Sequence, residues 1–140
     1  MKKSINTSIV YFVLALCAGV FYREFTKFNG FTGVTTLSVI HTHLFILGMF
    51  FFLIFALFQK NFPKIKDNTK VNKFYILYNV SLILFTLTLF VRGIVQVLDF
   101  HLSSALNASL SGIAGISHIL ITISLIMFFM ILKDTIKENA

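Results

Sequence analysis

The sequence predicts an all-α fold, an integral membrane four-helix bundle forming a single membrane domain over residues 1–140, and three observations predict it. The chain is 57% hydrophobic with only 12% charged residues, far more apolar than a soluble domain. Its apolar residues gather in four stretches, at about 5–22, 35–58, 74–97 and 110–132, each able to cross a hydrocarbon core about 30 Å thick. Its charges fall at the ends and between these stretches, and every connection is too short to hold a soluble domain. The net charge of +7 therefore reads as a topogenic signal rather than a nucleic-acid surface. The single cysteine, Cys17, excludes an internal disulfide framework and any CxxC motif.

Met1-Lys2-Lys3 and the uncharged run from Ser4 to Tyr22 resemble a signal peptide. No small-x-small cleavage site follows, and Leu16 is too large to precede a lipoprotein cysteine, so the run reads as the first span. Arg23, Glu24 and Lys27 end it, and Asn29-Gly30 and Thr32-Gly33 make a turn-rich connection. The second span is followed by the one strongly basic loop, Lys60 to Lys73, with five lysines against one aspartate. Pro63 breaks the helix there. The third span is interrupted near its end by Arg92 and Gln96 and closed by Asp99. Phe100 to Ser109, with His101, reads as a loop or surface-lying turn before the fourth span and a short polar tail, Lys133 to Ala140. The N-terminus, the basic loop and the C-terminus share one side and carry nine lysines. By the positive-inside rule both termini are cytoplasmic.

Within this frame the stretch from Ser38 to Gly48 stands out, because Phe28 to Gln59 contains no Asp, Glu, Lys or Arg yet holds His41 and His43. Ionisable residues inside a span are costly and mark sites. On a helix turning about 100° per residue, positions two apart leave opposite faces, so these two side chains cannot chelate one ion together and, if both are ligands, serve separate sites. His41 lies about 9 Å, and His118 about 12 Å, below the outer ends of their spans at 1.5 Å per residue.

Neutral imidazole ligates iron, copper and zinc. Haem b fits the surroundings best, since a porphyrin takes axial imidazoles, an apolar slot, small residues where it meets a helix, and cations near its propionates. Gly48 falls seven residues after His41, and Ser111, Gly115, His118 and Thr122 form one small-polar stripe. Arg23 and Arg92 sit at the outer end for propionate pairing. The plainer readings are a helix-packing stripe, a histidine bonded to a neighbouring helix, an Arg92 that snorkels to the interface, and Phe50-Phe51-Phe52 and Phe128-Phe129 as core or lipid-facing residues.

His41-Thr42-His43-Leu44-Phe45-Ile46-Leu47-Gly48 resembles the His-x-His-x4-Gly stretch in the catalytic subunit of haem-copper oxidases and nitric oxide reductases. The resemblance implies two histidines on two different haems, one on each side of a helix, and four spans comparable to one arc of that family's larger subunit. The chain has no second histidine-rich helix, no His-His pair and no tyrosine in a Pro-Glu-Val-Tyr-like motif, so a complete oxygen-reducing centre is not expected in one copy. Over its whole length the chain is similar to a family of small four-span bacterial membrane proteins of unassigned function, which implies a bacterial cytoplasmic membrane location.

The expectation is thus a b-type haem protein for electron transfer or gas- or quinol-linked redox chemistry, an oxidoreductase if it is an enzyme, although the sequence marks no quinone site. His41 and His43 are the expected axial ligands and His118 a further candidate. A cyclic homotrimer is expected, with a dimer as runner-up. The alternatives are copper or zinc held by the three histidines, and a structural or regulatory subunit without cofactor.

Overall fold

The computed structural model describes residues 1–66 and 68–137. Its long helices are α1 over Lys2–Phe28, α2 over Leu37–Asn61, α3 over Lys70–Val97 and α4 over Ser104–Lys137, all four long and apolar enough to cross a membrane. A short 3-10 turn at Pro63–Lys66 follows α2. Asp67 of the basic loop and residues 138–140 of the polar tail lie outside the described residues.

The helices outrun the apolar stretches because hydropathy marks only their middle parts. Charged helix formers carry α1 on past Arg23 to Phe28. It then ends in a Schellman turn: Gly30 adopts φ 60°, its N–H donates to Lys27 O at 3.1 Å, and Phe31 N–H donates to Thr26 O at 2.9 Å. α3 ends the same way, with Asp99 at φ 50° and Phe100 N–H donating to Val95 O at 3.0 Å. Aspartate tolerates this left-handed position better than most residues.

Two expectations are corrected. Arg92 and Gln96 do not interrupt α3; Gln96 Oε1 accepts the Thr36 N–H at 2.8 Å and so satisfies a backbone donor at the start of α2. The segment from Phe100 to Ser109 is a loop only to Ser103, because α4 starts at Ser104. Ala105, Leu106 and Ala108 favour helix, and Ser103 Oγ and its carbonyl accept the N–H groups of Leu106 and Asn107 at 3.3 and 3.0 Å.

α1 packs along α2, α4 along α3, and α2 meets α3 between them. Glycine notches set the α1–α2 and α2–α3 contacts. A Cβ on Gly48 would stand 2.5 Å from Tyr11 Cγ, and one on Gly93 would stand 2.7 Å from the Leu37 backbone nitrogen. The aromatic core lies toward the end carrying the termini, where Phe52, Phe55, Phe74 and Tyr78 are fully enclosed and Phe51 stacks on Tyr78 at 4.3 Å. The phenylalanine clusters divide: Phe52 and Phe128 are buried, whereas Phe50 and Phe129 face outward. At the other end packing thins, and the first turns of α4, from Ser104 to Ile116, contain no buried residue.

Immediately after His43 the backbone of α2 winds as a π-helix from Leu44 to Phe50. The wider turn leaves carbonyls to be satisfied from neighbouring helices: Tyr78 Oη donates to Leu47 O at 2.7 Å and Ser8 Oγ to Met49 O at 2.9 Å. Such π segments occur frequently at functional sites.

A candidate histidine site at the open end

His41 and His43 leave α2 on different sides. His41 lies against α1, where a Cβ on Gly19 would stand 3.7 Å from His41 Cβ. His43 turns toward α3 and meets the Phe85 ring edge-on, with centroids 5.1 Å apart. His118 of α4 meets the same ring, at 4.5 Å and 80°. One buried phenyl ring therefore gathers histidines from two helices. His118 shares it with His43 and not with His41.

The two gathered imidazoles are anchored alike. His43 Nδ1 is 2.7 Å from Val39 O and His118 Nδ1 is 2.8 Å from Ala114 O, each the carbonyl one turn back on its own helix. A carbonyl only accepts, so in the neutral ring Nδ1 carries the hydrogen and Nε2 keeps a lone pair. That arrangement fixes ring orientation and raises ligand basicity in metal-binding histidines. His41 differs. Its Nδ1 is the one buried side-chain nitrogen or oxygen among the described residues without a hydrogen-bond partner, a costly condition that a ligand pairing with that nitrogen would relieve.

Around this pair α4 presents Asn107, Ser111, Gly115, His118 and Thr122 as an exposed stripe, and a Cβ on Gly115 or Gly112 would meet nothing within 4 Å. Arg92 of α3 reaches the stripe, donating from one guanidinium nitrogen to Ser111 Oγ at 2.8 Å and from the other to Asn107 Oδ1 at 3.4 Å. His43, His118, Phe85, Gly115 and Arg92 thus define one neighbourhood. Two other candidates lie apart from it: Arg23 pairs with Glu24 on exposed α1, and the space beside Gly48 is filled by Tyr11. His101 is exposed beyond the end of α3.

Tested against this geometry, a porphyrin iron finds anchored imidazoles, an open glycine-bearing face and a cation at its edge. A mononuclear copper or zinc ion finds less, since no group of three or more His, Cys, Asp or Glu comes together among the described residues. Sequence reasoning missed Phe85 and Gly19. The signal for Phe85 was present, because Tyr78, Phe85 and Arg92 recur every seven residues on one face of α3.

These features define the class: a small all-α chain with four helices of membrane-crossing length and a histidine neighbourhood between the second, third and fourth. The chain belongs to the family described as protein of unknown function (DUF2871), which matches residues 1–135. No curated protein and no solved structure matches it. The family match covers nearly the whole chain and carries no activity.

Proposed function

We propose that this chain is a membrane protein that binds b-type haem, using His43 and His118 on one side of α2 and His41 on the other, for electron transfer or gas- or quinol-linked redox chemistry. The observation that carries the reading is the matched anchoring of His43 and His118 about Phe85, with both Nδ1 atoms on helix carbonyls. The His-x-His-x4-Gly resemblance supports it independently. Bound there, haem would supply a one-electron iron couple or a gas-binding position.

The chain's own residues orient, screen and balance charge. The Val39 and Ala114 carbonyls hold the imidazole tautomers. Phe85, only 5% exposed, packs against both imidazole rings and fixes their spacing. Arg92, held by Ser111 and Asn107, provides a positive charge for a propionate, a strong charge-assisted pairing. The nine lysines at the end carrying the termini support, by the positive-inside rule, a bacterial cytoplasmic-membrane protein with that end in the cytoplasm. The sparsely covered stripe on α4 and the separation of His41 from His118 favour assembly as a homotrimer, with a dimer as runner-up.

The test is spectroscopic. Protein purified in mild detergent from haem-supplied cells is expected to be red, with a Soret band that shifts on dithionite reduction and a pyridine haemochrome of the b type. Colourless protein carrying stoichiometric copper or zinc would replace this reading with the metal-binding one, and colourless metal-free protein would leave the histidines as helix-joining residues.

A further inference from the structure

α1 and α3 both rest on α2 and are bridged near each end. Toward the termini, Thr7 and Tyr75 share a hydrogen bond and Tyr11 Oη donates to Asn79 Oδ1 at 2.8 Å. At the other end the Phe21 and Phe90 rings approach to 5.1 Å. Between these bridges lies a cavity of about 520 Å³, floored by Ile40 and Leu44 of α2 and walled by Leu14 and Cys17 of α1 and Ile83 and Leu87 of α3. A second cavity of about 610 Å³ shares Tyr11, Leu14 and Ile83 with it and continues toward the termini to Thr7, Tyr75 and Asn79. Together they make one groove with a long apolar part and one polar end.

The polar end has Lys3 at its mouth and the uncharged Tyr11 and Asn79 further in, and these inner groups are incompletely used. Asn79 Nδ2 donates one hydrogen to Tyr75 O at 2.7 Å, and a carboxamide has a second to give. Tyr11 donates its own hydrogen to Asn79 and keeps acceptor capacity on its oxygen. Asn79 stands nine residues inside α3 from Lys70, about 13 Å along the axis. Asn79 lies six residues, about 9 Å, beyond Lys73 on the same helix, where an unpaired polar hydrogen is costly. A charged phospholipid headgroup stays at the interface, where Lys3 already sits over the Tyr75 ring at 4.0 Å. The ligand that answers both parts of the groove is a neutral ring bearing carbonyl or hydroxyl oxygens and one long apolar tail.

We infer that the groove between α1 and α3 binds an isoprenoid quinone or quinol, with its ring at Tyr11, Tyr75 and Asn79 and its tail running along Leu14, Ile83 and Leu87. No histidine lines either cavity, so the groove has its own lining even though Ile40 and Leu44 flank His41 and His43 on α2. The inference concerns binding alone, and its outcome is independent of whether haem is present.

The experiment uses the full chain in phosphatidylglycerol nanodiscs with an azido-substituted decyl-ubiquinone. Irradiation is expected to label peptides covering residues 7–14 and 75–87, and excess decyl-ubiquinone should suppress the label whereas added phosphatidylglycerol should not. Asn79→Leu, which removes the ring's hydrogen-bonding group, should lower labelling about tenfold, roughly one decade in affinity. Thr86→Trp fills the apolar cavity that Thr86 lines without touching the polar end, and should lower labelling as well. Label that survives both substitutions, maps to α4, or yields equally to phosphatidylglycerol would overturn the proposal and leave the groove to bilayer lipid.

Discussion

Tyr11 of α1 occupies the notch that Gly48 leaves in α2, and about two helical turns away Gly19 of α1 faces His41 of α2. The antiparallel pair is thereby keyed at two points. Tyr11 is also held from its far side by Asn79, so it has little freedom to retreat from an added methyl group.

Gly48→Ala should therefore destabilise the protein by about 1–3 kcal/mol, the usual cost of overpacking. Gly93→Ala should lie at or above the top of that range, because its Cβ would meet the Leu37 backbone nitrogen at 2.7 Å as well as the Leu37 side chain. Gly19→Ala meets only an ordinary contact at 3.7 Å and should be neutral or gain up to about 1 kcal/mol from helix propensity. Thermal melts followed by far-UV circular dichroism would rank the three, and equal melting temperatures for all would remove the notch argument.

Tyr78→Phe tests the π segment. It removes the donor to the Leu47 carbonyl while keeping the stacking on Phe51, and should cost about 1 kcal/mol or somewhat more, because a buried acceptor is left unpaired. Tyr75→Phe, which leaves that carbonyl untouched, is the comparison. A Tyr78→Phe protein as stable as wild type would show that the wide turn does not need this hydrogen bond.

The legibility of the chain follows from which forces act locally. Four apolar stretches and their order could be read because hydropathy is a property of each segment, and the opposed directions of His41 and His43 followed from helix rotation alone. The start of α4 could not be read, because Ser103, Asn107 and Ser109 look like loop residues until Arg92 is seen to bond Asn107 and Ser111. The π turn at Leu44–Phe50 depends on donors from Ser8 and Tyr78 on other helices. Gly48 shows the same limit. Its spacing from His41 suggested room for a porphyrin, but which neighbour fills a glycine notch is decided by tertiary packing.

The haem reading makes separate demands on the three histidines. His43→Ala and His41→Ala should each lower the haem-to-protein ratio, since each removes an imidazole from its own side of α2. His118→Ala should convert low-spin haem to high-spin or release it. Pyridine haemochrome assays and visible spectra of the three variants decide this, and full occupancy with an unchanged low-spin spectrum in both His41→Ala and His43→Ala would sink the assignment.

Arg92→Leu removes a cation from the edge of the histidine neighbourhood and frees Ser111 and Asn107. Loss of positive charge favours the oxidised, more positive iron, so the midpoint potential should move negative by tens of millivolts, where about 59 mV corresponds to tenfold for one electron. An unchanged potential in a redox titration would return Arg92 to a role in fastening α3 to α4.

Assembly is the last expectation, and it follows from where the candidate ligands lie in the order of helices. His41 is on the α1 side of α2, whereas His118 is exposed on α4, which packs on α3. The two ligand faces thus lie toward opposite flanks of the protomer. A cyclic assembly repeats one heterologous contact and brings the α4 flank of each copy to the α1 flank of the next. The stripe of Ser111, Gly115 and His118 then finds a covering helix, as small-residue faces in membranes do. A twofold dimer would instead set α4 against α4 and leave the His41 side uncovered, which is why the ring of three is preferred. Native mass spectrometry in mild detergent should show a trimer, and Gly115→Leu, which puts a large side chain on the open face, should shift it toward monomer with loss of haem. A wild-type monomer that retains haem would exclude the ring and any haem shared through His41, leaving only the His43 and His118 pair of a single chain.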